Sequence, residues 1–164
     1  MKAQIQTQVF VYVLSLIIIG AVLLYGYSAI STMRDKGEEI DLISFKTDIT
    51  REISKMSSDY GSANIITLKV PAGFEQICFI DLNKAPAAGL MNSQPLVYES
   101  WADSTANVFL IKDLAEEFHL VHEDSEYLIE INSPGYVCIP VRNNHIDIRL
   151  EGIGGKALLS ESNE

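Results

Sequence analysis

His119, His122 and Glu123 fall within the run FHLVHE, and they are the residue types best suited to holding a divalent metal. Two imidazoles and a carboxylate can ligate zinc. Strand alternation, however, would place His119 and His122 on opposite faces, and only a helical turn would bring them to one side. We read the three as surface residues. Nucleophilic catalysis has no better footing: the chain holds no G-x-S-x-G, and its hydroxyls fall mostly between the regular segments. The glycines of EGIGGK lack the spacing and the following Ser or Thr of a phosphate loop, so a β-turn accounts for them. Trp101, in the acidic loop YESWADS, is either a contact residue or half-buried packing. Cys78 and Cys138 lie in the apolar runs QICFIDL and YVCIPVR, with no CxxC spacing that would suggest zinc. They are either two buried thiols or, if the domain lies outside the cytoplasm, a disulfide. No catalytic, cofactor-binding or metal-binding residue is assigned, and the chain is not expected to be an enzyme.

The elements that would position these residues begin with an apolar run, Val9 to Ile30, which holds no Asp, Glu, Lys, Arg or Pro. At ~1.5 Å per residue such a run reaches about 33 Å, enough to cross a hydrocarbon core of roughly 30 Å. Inside that core every backbone amide must be paired within the segment, which predicts a helix. Tyr12, Tyr25 and Tyr27 lie towards its ends, where amphipathic rings favour the interface. A cleavable secretory signal is the competing reading, but its apolar part spans only ~7–15 residues.

The 134 residues after Ile30 suffice for one compact domain. Only Lys2 of the twelve basic residues precedes that point, whereas all twenty-two acids follow it, so the remainder carries a formal charge of −11. Binding to nucleic acid needs clustered Lys and Arg, and no such contact is expected. Acidity at this level also keeps an exported domain soluble.

From Asp41 to Tyr60 no Pro or Gly interrupts the chain, and Leu42, Phe45, Ile49, Ile53, Met56 and Tyr60 recur at intervals of three and four. That spacing predicts an amphipathic helix whose apolar stripe covers a β-sheet, with Asp48, Arg51, Glu52 and Lys55 opposite. The linking segment SAISTMRDKGEE is either continuous helix with a soft point at Gly37 or a short break. Beyond Ala63 the pattern reads as β. Strands are expected at Ile66–Val70, Gln76–Leu82, Leu96–Glu99, Asn107–Lys112, Glu126–Asn132, Tyr136–Arg142, His145–Leu150 and Lys156–Ser160, with a surface connection over Asn83–Gln94. Asp113–Phe118 could make one helical turn. Asn143-Asn144 suits a two-residue hairpin turn, because Asn tolerates positive φ. The fold class expected is α+β: a long N-terminal helix, transmembrane then amphipathic, packed on an antiparallel β meander. The strands carrying Cys78 and Cys138, the most apolar, are expected to be central.

Lys2-Ala3 followed by Gln4, directly ahead of the apolar helix, resembles the processing site of archaeal type IV pilin-like precursors. The resemblance extends to the order of apolar helix, amphipathic extension and C-terminal β domain. It implies a leader of residues 1–3 removed by a prepilin-type membrane peptidase, leaving Gln4 as the new terminus. On this pattern the transmembrane helix is 4–30, its extension 31–62, the β domain 63–160 and a tail 161–164. The N-terminus would be cytoplasmic and the β domain extracytoplasmic, at the cell surface once assembled. Arg34, Lys36 and Lys46 by themselves lean the other way, but acids intersperse them.

Two functions follow as expectations. In the first, the chain is a pilin-like subunit of a surface filament that associates with itself or with other such subunits. Its small helix residues Ser15, Gly20 and Ala21 would allow close approach. In the alternative it is a non-assembling, single-pass tether for an extracytoplasmic β binding module.

Overall fold

The computed structural model describes residues 3–112, 116–120 and 127–162. Its contacts divide the chain into two units, Met1–Ile40 and Asp41–Glu164. Helix α1 runs over Ala3–Ser58 without a break at Gly37. No proline interrupts that span, and an isolated glycine costs a helix only about 1 kcal/mol.

In the second unit α1 is followed by β1 (Ala63–Lys69), β2 (Gln76–Ile80), α2 (Ala88–Ser93), α3 (Pro95–Asp103), β3 (Val108–Ile111) and β4 (Glu116–Phe118). Then come β5 (Ile129–Ile131), β6 (Tyr136–Pro140), β7 (His145–Gly152) and β8 (Ala157–Glu161). The class is α+β. The strands form two four-stranded sheets, ordered β1-β7-β8-β5 and β4-β3-β2-β6. Among the described residues all pairings are antiparallel except β5 with β8, so the expected simple meander is corrected.

The helix stripe buries as its spacing requires. Phe45, Ile49, Ile53 and Met56 enter one core with Leu68, Ile146, Ile148 and Leu150 of the first sheet, with Val70 just beyond β1, and with Ile77, Phe79, Val108 and Leu110 of the second. Leu42 packs half-buried against the same core. Phe45 meets Phe118 edge to face at 6.3 Å. Tyr60 departs from the stripe: it lies beyond the end of α1 and is 81% exposed. There Gly61, at φ +79°, turns the chain, and its N–H donates to the Gly152 carbonyl at 2.8 Å. Gly152 permits this approach because a Cβ there would fall 2.2 Å from the Asp59 carbonyl oxygen and 2.3 Å from that of Met56. No side chain fits between helix end and strand.

Several local assignments change. Leu96–Glu99 is not a strand but part of α3, with Pro95 in the first turn where its missing N–H costs nothing. The connection after Asn83 contains α2. Of the expected helical turn, residues 113–115 lie outside the described residues, and Glu116–Phe118 is strand β4. Glu126 likewise lies outside them, and the strand there is shorter, Ile129–Ile131. Strand β2 is internal, but β6 is an edge of its sheet rather than central. Glu161, assigned to the tail, closes β8. Asn143 and Asn144 take φ +51° and +61° in a tight turn, with reciprocal bonds between Arg142 and His145 at 2.9 Å. The strands flanking that turn then part into different sheets.

A second, smaller core lies on the other side of the β2-containing sheet. There α2 and α3 place Leu90, Val97 and Trp101 over Cys78, Ile80 and Phe109. This sheet is therefore covered on both faces, which is why β2 is apolar at successive positions instead of alternating.

Candidate functional site

The first unit presents an apolar surface with nothing of its own to cover it. From Val9 to Ile30 every large apolar side chain of α1 is exposed, Leu24 at 76% and Phe10 at 67% among them. Among the described residues α1 is the one helix long and apolar enough to cross a membrane. Ser15 suits an apolar surround, because its Oγ donates to the Val11 carbonyl at 2.8 Å and leaves no unpaired hydroxyl. In a continuous helix of about 100° per residue, Gly20 lies ~140° round from Ser15, and Ala21 lies ~120° round in the opposite sense. The three small residues therefore open three sides of the helix. A Cβ added to Gly20 would meet nothing within 4 Å. Of the processing residues, Lys2 lies outside the described residues, while Ala3 and Gln4 open α1.

The second unit is braced by covalent and polar links. Cys78 and Cys138 are directly opposite in the β2–β6 register, with Cα atoms 4.0 Å apart, and they form a disulfide. Sequence alone placed both in strands but could not supply the register between segments sixty residues apart. Asp81, 1% exposed, accepts from the Asn83 N–H at 3.0 Å, the Asn83 Nδ2 at 3.2 Å and the Ile131 N–H at 3.4 Å. Lys84 Nζ lies 3.5 Å from the Asp81 carboxylate and also donates to the Ile131 carbonyl. The end of β2 is thereby tied to β5 in the other sheet. The D-x-N spacing was the available signal, since an aspartate commonly accepts from the backbone two residues on. Asn107, also buried, does similar work: its amide accepts from the Leu120 N–H at 2.6 Å and donates to the Leu120 carbonyl at 3.1 Å. In both clusters the polar atoms are engaged in holding backbone.

His119 is exposed, with Nδ1 2.8 Å from the Thr105 carbonyl oxygen, while His122 and Glu123 lie outside the described residues. No group of three His, Cys, Asp or Glu side chains suited to a metal occurs among the described residues. Trp101 is not in a loop but in α3, 4% exposed and edge-on to Tyr136 at 6.4 Å. Of the glycines of EGIGGK, Gly152 ends β7, and Gly154 and Gly155, at φ +86° and +82°, turn the chain into β8.

Fold and site together define a class: a protein with a membrane-length apolar helix and a disulfide-bonded α+β domain. Comparison with protein-family models, with curated protein sequences and with solved structures finds no match to the chain.

Proposed function

We propose that this protein is a membrane-anchored subunit of an extracytoplasmic filament of the archaeal type IV pilin kind. The observation that carries the reading is the uncharged, exposed apolar run at the start of a helix whose later turns are built into a disulfide-bonded β domain. In the membrane, lipid would cover that run; in a filament, the runs of neighbouring subunits would cover each other. The placement of Ser15, Gly20 and Ala21 on three sides of the helix suits a core where each helix meets several neighbours, whereas a simple dimer would need one small-residue face.

In this reading a prepilin-type peptidase cuts between Ala3 and Gln4 at the cytoplasmic face, and the β domain stands outside. The disulfide supports that orientation, because such bonds persist where cytoplasmic reductants are absent. The acidic domain would face solvent, and its partners are the membrane, the peptidase and other subunits.

The triple substitution Ser15→Leu, Gly20→Leu and Ala21→Leu separates a subunit from a mere tether. The altered chain should still reach the membrane, because leucine favours insertion, but filaments on the producing cells should be lost. Electron microscopy together with membrane fractionation reads both effects. Undiminished filaments from the substituted chain, or none from the unsubstituted one, would favour a tethered β binding module instead.

A further inference from the structure

Within the second unit, α1 carries an open, shallow groove of about 550 Å³ alongside the stripe that enters the core, half of its lining residues being half-buried. Its floor is Ile43, Thr47, Thr50 and Ser54, and its rims carry Lys46 and Arg51. The floor is more apolar than its residue types suggest. Thr47 Oγ1 donates to the Ile43 carbonyl at 2.9 Å, and Thr50 Oγ1 to the Lys46 carbonyl at 2.7 Å, which turns both hydroxyls into the helix. Ile43 itself is 56% exposed. Among the described residues Arg51 pairs with the exposed Asp48 at 3.0 Å and the half-buried Glu52 at 3.6 Å, and Lys46 Nζ sits 5.3 Å from the centre of the Phe118 ring; surface contacts of that kind exchange readily. The residues after Ile30 carry a formal charge of −11, and here two cations flank one apolar strip.

A complementary surface lies on the far side of the β2-containing sheet. The α2–α3 pair exposes Met91 at 57% and Leu96 at 60%. Glu99 and Asp103 follow Leu96 at helical intervals of three and four and are also exposed. One surface is thus apolar with basic rims and the other apolar with an acidic flank.

We infer that the α1 groove of one subunit receives the α2–α3 face of a second copy of this chain. Apolar floor meets Met91 and Leu96, and Lys46 and Arg51 meet Glu99 and Asp103. Because the two surfaces lie on opposite sides of one sheet, the contact is heterologous. It can repeat without closing on itself, as a filament requires. The inference rests on the filament reading and adds the contact by which the outer domains join.

Cross-linking of the full chain in membranes tests it. Both native cysteines are already bonded, so introduced thiols have no competitor. A chain bearing Thr47→Cys and Leu96→Cys together should give a ladder of covalent multimers on mild oxidation, whereas a mixture of the two single variants should stop at dimers. Lys46→Glu with Arg51→Glu should abolish the ladder, and adding Glu99→Lys with Asp103→Lys should restore it. Dimers from Thr47→Cys alone, or no ladder where filaments persist, would overturn this contact and leave the filament reading intact. A ladder in cells that never form filaments would uphold the contact and reject the filament.

Discussion

Ile53→Asp is expected to abolish cooperative folding of the β domain, while Glu52→Ala one position away leaves it folded. Ile53 is fully buried between α1 and the two sheets. Removing a buried side chain of that size costs roughly 2–5 kcal/mol, before any charge is considered. The new carboxylate would have no cation in that core, so its desolvation adds several kcal/mol more. Together these approach the about 5–15 kcal/mol that holds a domain of this size folded. Among the described residues Glu52 meets Arg51 at 3.6 Å near the surface, and its loss should cost about 0.5 kcal/mol or less. Trp101 is the single tryptophan and is buried, so its fluorescence reports the outcome. A cooperative transition retained in Ile53→Asp would mean that the helix stripe does not hold the core.

The second large effect belongs to the disulfide. Replacing Cys78 and Cys138 together by alanine is expected to lower stability by roughly 2–4 kcal/mol in urea unfolding. The bond closes a loop of sixty residues, whose freedom in the unfolded chain it removes. The same pair reports the side of the membrane. Protein taken from its own cells, denatured and alkylated, should gain no label unless it is first reduced. Two labelled thiols without reduction would place the domain beside cytoplasmic reductants, against the proposed orientation.

Local signals carried much of this fold, and pairing between distant segments carried the rest. The apolar run, the three-and-four spacing of Phe45, Ile49 and Ile53, and the turn at Asn143-Asn144 are properties of neighbouring residues, and each led to the right local structure. Leu96–Glu99 misled because Val97 and Tyr98 favour strands. Yet Pro95 at a helix start, and Val97 and Trp101 four apart, gave a helical pattern that packing then selected. The split into two sheets, the parallel β5–β8 pair and the edge position of β6 depend on which distant strands meet. No window of sequence contains that information. The candidate site divides similarly: the apolar helix was plain from composition, while the opposition of Cys78 and Cys138 and the tie from Asp81 to Ile131 are consequences of register.

The reading of this chain as a processed filament subunit is tested most directly by intact mass spectrometry of the protein recovered from its native membrane. The expected species begins at Gln4, lacking Met1, Lys2 and Ala3, and retains the apolar helix through Ile30. A mature chain that begins at Met1 would contradict it.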